Sequence, residues 1–129
     1  MTTKIFRHRG FPCCSCQKKW FPAFEAELVA RGLPVPPIAQ LIGGAAASAS
    51  THSRGGAADW WGVNVEVAAT ARMMGAPATW IRETGSFADN KHTHSVLRGC
   101  PHLHPSAQAQ IREVDAGGDG LIGNAEDTH

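Results

Sequence analysis

Apolar residues recur with helical spacing in two segments, one near each end of the chain. In residues 18–31 they recur at steps of three and four positions, which predicts an amphipathic helix that Gly32 ends. Pro22 lies within the first turns of this helix, where proline is tolerated. Residues 105–114 predict a last helix, because a proline opens the segment and two glycines follow it.

The middle of the chain predicts one more helix and several extended segments. Residues 34–42 contain three prolines and branched side chains, which is typical of an extended segment at a sheet edge. Residues 66–74 predict a helix that Gly75 ends, and residues 79–82 and 92–97 predict two short strands. This alternation predicts an α+β domain, in which a small antiparallel sheet carries the functional site and helices flank it.

The chain length of 129 residues suits one domain. Residues 1–16 show neither helical nor alternating periodicity, so we expect an irregular Cys-rich N-terminal arm over residues 1–17 and a single domain over residues 18–129. Residues 43–50 resemble a linker in composition, but the elements predicted after them argue against a domain boundary there.

Composition and charge exclude several classes of protein. A formal net charge of +1 argues against both a duplex-binding protein and a disordered chain. The sequence shows no secretory signal and no apolar run of the roughly 18 residues that a membrane span needs, so we expect a cytoplasmic product without a membrane anchor. With 14 Gly and 8 Pro the chain is rich in loops, and a bound metal could add folding free energy.

Four cysteines stand at positions 13, 14, 16 and 100. Vicinal cysteines are poor partners for an ordinary disulfide, so we expect reduced thiols. A four-Cys zinc site lacks the usual C-x-x-C spacing and is disfavoured. The sequence leaves the role of these cysteines open.

Histidines and one aspartate suggest a metal site. His52 and Asp59 stand seven positions apart with two glycines between them, which lets the backbone turn and bring both side chains to one point. Both are good zinc ligands, but these two residues alone are better explained if His52 caps a turn and Asp59 caps the following helix. His92 and His94 lie two apart in a predicted strand and therefore face the same side, with Thr93 facing away.

The segment around His52 matches a known signature, S-x-H-x-x-G-x-A-x-D, at all five fixed positions: Ser50, His52, Gly55, Ala57 and Asp59. The chain thereby resembles the D-Ala-D-Ala metallopeptidases, which share a superfamily with lysostaphin and the Sonic hedgehog zinc domain. The resemblance covers roughly residues 34–123, and the chain also resembles a group of short actinobacterial and phage-encoded wall peptidases, whose lead-in Gln40, Gly43 and Gly44 match. The cysteine cluster lies outside the family pattern.

The resemblance implies a zinc ion held by His52, Asp59 and His94, with the fourth position open. It implies that His92, the first residue of the H-x-H pair, assists catalysis, a role that a Glu fills in related dipeptidases. Gln40, in the strand before the signature, would hydrogen-bond the oxyanion. We expect His52 and Asp59 on a loop and its exit, and His94 on a central strand.

The implied activity is zinc-dependent hydrolysis of peptidoglycan stem peptides or cross-bridges, with a wall peptide as partner and neither nucleic acid nor membrane. Without an export signal, the enzyme would act on the wall after release, as a phage endolysin does. An inactive zinc-containing binding module of the same fold is the alternative, and a Cys-rich module that contacts nucleic acid is disfavoured by the low charge. The oligomeric state stays open.

Other polar and aromatic residues give competing interpretations. His102 and His104 form a second H-x-H pair, but prolines bracket it and we expect solvated loop histidines. Residues 115–126 resemble a calcium loop with Gly117 at a ligand position, so a glycine-rich turn is the better prediction. Trp60 and Trp61 could line a peptide cleft, although at least one is expected in the core.

Overall fold

The computed structural model describes residues 5–42, 55–83 and 91–116. Within these ranges the elements are β1 (Phe6–His8), β2 (Phe11–Cys13), α1 (Ser15–Ala30), β3 (Ile38–Gln40), β4 (Ala57–Trp61), α2 (Val65–Met73), β5 (Ala78–Arg82), β6 (His92–Val96) and α3 (Pro105–Asp115). The predicted α+β class is confirmed, and each predicted helix is present with its bounds shifted by at most a few residues. His52 and most of the predicted calcium-like tail lie outside the described residues.

A four-stranded antiparallel sheet with strand order β3-β4-β6-β5 forms the centre of the fold. The expectation that His94 lies on a central strand is confirmed, because β6 pairs with β4 on one side and β5 on the other. Asp59 was expected at the exit of a loop, and this is wrong: it is the middle residue of β4. The segment Ala57–Trp61 lacks alternation of apolar and polar residues, so periodicity alone did not predict the strand.

Helix α1 packs on one face of the sheet through its aromatic residues. Phe24 lies 5.3 Å from Trp60, ring centre to ring centre, and Phe21 meets the same indole edge-on at 6.4 Å. Trp60 is 2% exposed, which confirms that one tryptophan of the pair belongs to the core. Since Trp60 points to α1, its neighbour Asp59 must point to the opposite face.

Two N-terminal strands form a hairpin instead of the irregular arm that the sequence predicted. The turn between β1 and β2 is built by Arg9 and Gly10, both at positive φ. His8 Nε2 lies 2.8 Å from Glu25 Oε2, which ties the hairpin to α1. Strands of three residues are too short to show an alternating pattern, which explains the wrong prediction.

Helix α1 begins earlier than its apolar spacing indicated and runs through residue 17, the predicted end of the arm. Its start is fixed by Cys14 and Gln17, whose side chain and backbone groups bond reciprocally in the pattern of a capping box. Among the three helices that the structure describes, none combines the length and the apolar character that a membrane crossing needs.

Candidate functional site

A row of functional side chains crosses the central sheet on the face opposite α1. Gln40 on β3 pairs with Asp59 on β4, Asp59 pairs with His94 on β6, and His94 pairs with Trp80 on β5. Residues directly opposite each other in antiparallel strands present their side chains on the same face. The strand register therefore brings together three of the predicted site residues.

The Asp59 carboxylate lies between two imidazoles. Its Oδ1 is 3.0 Å from His94 Nδ1, and its Oδ2 is 3.9 Å from His92 Nε2. His94 is 1% exposed and His92 is 6% exposed, so water screens this cluster little. The prediction that His92 and His94 face the same side of their strand is confirmed. His52, the third predicted ligand, lies outside the described residues.

His94 is held at both ring nitrogens. Its Nδ1 faces Asp59, and its Nε2 lies 3.0 Å from Oε1 of Gln110, a buried residue of α3. A neutral imidazole carries one N–H and can donate to one of these oxygens. The second contact then requires a proton on both nitrogens, a rotated amide at Gln110, or a cation between Nδ1 and the carboxylate. The last arrangement is that of a metal-bound histidine, which donates its other N–H to an oxygen acceptor.

Substitution of Gln110 distinguishes the metal-bound arrangement of His94 from the other two. If Gln110 Oε1 accepts from Nε2–H and turns Nδ1 toward a metal, Gln110→Leu will weaken zinc binding at this site about 10- to 100-fold, the usual effect of losing an outer-shell partner. Competition with a chelator of known affinity measures this. Gln108→Leu on the same helix is the matched control, because Gln108 is exposed and donates to Leu103 O instead. Equal zinc affinity in the two variants would contradict the assignment.

Two aromatic residues and one arginine frame the histidines. The Trp80 indole lies 4.6 Å from the His94 ring, and Arg82 lies over the same indole at 5.0 Å. Burial lowers the pKa of Arg82, and the negative charge of Asp59 opposes that change. Trp61 meets the His92 ring edge-on at 6.3 Å and is 45% exposed, so it can form an apolar wall beside the site.

Gln40 presents an unused donor next to this cluster. Its Nε2 is buried, and no group in the described ranges accepts a hydrogen bond from it. An unsatisfied buried donor costs about 1–3 kcal/mol. The amide is therefore suited to a ligand oxygen that enters the site, which is the group that the sequence hypothesis assigned to it.

A second group of metal-ligating residues lies where α1 begins. Cys14, Cys16, Cys100 and His102 offer ligand atoms that all lie within 4.8 Å of one another, and in the described part of the chain no other group of three or more meets this criterion. The donor set suits zinc. His102 lies in a loop, as expected, but it is half-buried and its Nδ1 lies 3.4 Å from Cys100 Sγ, so the expectation of a solvated side chain is wrong. His104, its partner in the pair, caps α3 through Nδ1, which accepts from the Ser106 backbone N–H at 3.0 Å.

The two halves of this Cys/His cluster come from distant parts of the sequence. Cys14 caps α1 and Cys16 lies in its first turn, whereas Cys100 and His102 lie in the loop before α3. The sequence signal was a pair of ligands spaced by one residue, C-x-C in one half and C-x-H in the other. The sequence lacks the usual C-x-x-C spacing of zinc sites, and for that reason the Cys/His cluster was not predicted.

All four cysteines are free thiols, as expected from the sequence. The Cys100 thiol, hydrogen-bonded to Cys14 Sγ at 3.7 Å, lowers the pKa of Cys14 to about 5, against the opposing effect of burial. Backbone N–H groups of Gln17, Gly56 and Cys16 add to this stabilisation of a thiolate. The same thiol contact and burial raise the pKa of Cys100 far above its usual range. Cys13 is buried but is not a member of the cluster.

Comparison of the chain with protein-family models, with curated proteins and with solved structures finds no match. The chemistry of the site residues therefore carries the functional argument.

Proposed function

We propose that this chain is a zinc-dependent peptidase that hydrolyses peptide bonds of bacterial peptidoglycan, in stem peptides or cross-bridges. The observation that carries the proposal is the Asp59 carboxylate in contact with His94 and close to His92, on two adjacent strands. Asp59 is the last fixed residue of the metallopeptidase signature, and His92 and His94 form the H-x-H pair that follows it in the sequence. The cell wall after release, as for a phage endolysin, is the proposed place of action.

The residues of this site fit a zinc ion. Asp59 and His94 supply a carboxylate oxygen and an imidazole nitrogen 3.0 Å apart, and these are ligand types that catalytic zinc sites use. His52 is the proposed third ligand. Gln110 holds the far nitrogen of His94, which is the second contact expected for a metal-binding imidazole.

When bound, a zinc ion supplies a Lewis acid that polarises the scissile carbonyl and makes water acidic enough to react near neutral pH. His92 accepts a proton at Nε2 during attack and returns it to the leaving amine. The Gln40 amide donates a hydrogen bond to the oxygen on which negative charge develops. Trp61 provides an exposed apolar wall against which the peptide lies.

The presence of His92 beside the proposed ligands favours an enzyme over a binding module that has lost turnover. Proton transfer needs a positioned acid or base near the reacting atoms, and His92 lies beside both Asp59 and Trp61. A binding module would need the metal ligands but not His92.

Digestion of purified peptidoglycan, followed by mass spectrometry of the soluble fragments, tests the proposal. We expect the zinc-loaded protein to release fragments with new amino or carboxyl ends in the peptide part. Chelation should stop the release, and added zinc should restore it. Zinc bound at the sheet with no fragment released from walls of several compositions would contradict the proposal in favour of the inactive module.

A further inference from the structure

We propose that Cys14, Cys16, Cys100 and His102 bind a second zinc ion, a closed structural site that fixes the segment leading into β4. The binding of this ion is independent of the peptidase activity. Its effect on the proposed zinc site at Asp59 and His94 (the sheet site) rests on the proposed function.

Three of the six distances between ligand atoms of the Cys/His cluster match the edges of a tetrahedron around zinc, and all six are within 4.8 Å. Bond lengths of about 2.3 Å to sulfur and 2.0–2.1 Å to nitrogen predict edges of about 3.8 Å between two sulfurs and about 3.6 Å between sulfur and nitrogen. The observed separations are 3.7 Å between Cys14 Sγ and Cys100 Sγ, and 3.7 Å and 3.4 Å from His102 Nδ1 to Cys16 Sγ and Cys100 Sγ. A disulfide would bring two sulfurs to about 2.05 Å.

The surroundings of the cluster suit a structural site. Four protein ligands fill the coordination sphere and leave no position for a substrate, as in Cys₃His sites. Cys14 and Cys100 are buried and the other two ligands are half-buried.

Two glycines pass directly over the cluster, Gly55 of the signature and its neighbour Gly56. A Cβ atom on Gly55 would lie 2.8 Å from Cys14 Cβ, and one on Gly56 would lie 3.1 Å from Cys100 Sγ and 2.4 Å from Leu103 Cδ2. Both glycines have positive φ, so a side chain would be strained even without these contacts. The backbone can approach the ligands this closely because both positions are glycine.

Hydrogen bonds join this segment to its surroundings. The Gly56 carbonyl accepts from Leu97 N–H at 2.8 Å. Gln17 Nε2 donates to Ala57 O at 2.7 Å. Asp59 follows Gly56 by three residues, about 10 Å of extended chain. A zinc ion in the cluster would therefore hold the α1 start, the loop before α3 and the entrance of β4 as one unit.

Cobalt substitution of the full chain tests the second site. Zinc is removed under reducing conditions, Co²⁺ is added, and the absorption spectrum is recorded for the wild type, Cys16→Ser, His102→Ala, Cys13→Ala and Asp59→Ala. Thiolate ligands give Co²⁺ an intense near-ultraviolet charge-transfer band that oxygen and nitrogen ligands do not give. Cys16 and His102 are the less buried ligands, and Cys13 is a buried neighbour outside the cluster.

We expect the thiolate band in the wild type, Cys13→Ala and Asp59→Ala, and a loss of most of its intensity in Cys16→Ser and His102→Ala. Zinc content should fall by about one equivalent in the latter two variants. The wild-type spectrum decides the question even where a variant fails to fold.

A wild-type protein without the thiolate band, or a band lost in Cys13→Ala but kept in Cys16→Ser, would overturn the proposal. So would a disulfide between Cys14 and Cys100 found by peptide mapping of the protein as purified, because those two sulfurs would then be unable to bind a metal. Failure of the peptidase proposal is distinguishable, because it would leave the thiolate band intact and remove only fragment release.

Discussion

Asp59→Ala is expected to remove the zinc of the sheet site and to reduce peptidase activity by more than about 100-fold, since a lost ligand costs more than a lost outer-shell partner. His94 and His92 would remain buried without the carboxylate between them. Without metal, the free energy of unfolding of the variant should be about 1–3 kcal/mol lower than that of the wild type, because His94 loses its Asp59 partner. Elemental analysis, fragment release and denaturant unfolding measure the three effects.

Asp115→Ala is the matched control for this variant. Asp115 pairs with Arg98 on the surface, and exposed ion pairs contribute little. We expect full zinc content and full activity in Asp115→Ala. An Asp59→Ala protein that keeps both its zinc and its activity would show that the carboxylate is not a ligand.

His92→Ala is expected to reduce kcat by roughly 10²–10⁴ while zinc content stays unchanged, because His92 is assigned proton transfer and not metal binding. The loss should fall mainly on kcat, since proton transfer stabilises the transition state more than the bound substrate. Steady-state kinetics on a soluble wall peptide, with elemental analysis of the same sample, measures both quantities.

His94→Ala serves as the comparison, because His94 lies two residues further along the same strand and faces the same side. It should lose zinc and activity together. Full activity in His92→Ala would contradict its catalytic role, and a loss of zinc from His92→Ala with zinc kept in His94→Ala would exchange the two assignments.

Local patterns predicted the elements from which the fold is built. The spacing of apolar residues predicted α1 and α3, and the H-x-H alternation predicted that His92 and His94 share a face. These features depend on neighbours in the sequence, so one sequence is enough to predict them. Strand β4 was missed because its sequence, Ala-Ala-Asp-Trp-Trp, has two adjacent apolar residues on each side of Asp59 and does not alternate.

Long-range features of the site could not be predicted in the same way. Gln110 contacts His94 because α3 folds over β6, and nothing in the helix sequence marks that glutamine. The Cys/His cluster forms when the loop before α3 packs against the start of α1. Spacing rules detect two adjacent ligands within one segment, but the pairing of two such segments is decided by tertiary packing.

A crystal structure of the zinc-loaded protein, with anomalous data collected on both sides of the zinc absorption edge, tests the sheet metal site most directly. We predict an anomalous peak that marks a zinc ion about 2.0–2.2 Å from a carboxylate oxygen of Asp59 and a ring nitrogen of His94, with His52 as the third protein ligand. A second peak among the cysteines is expected from the further inference. A direct hydrogen bond between Asp59 and His94, with no anomalous peak between the two side chains, would contradict the account if the same crystals contain zinc elsewhere.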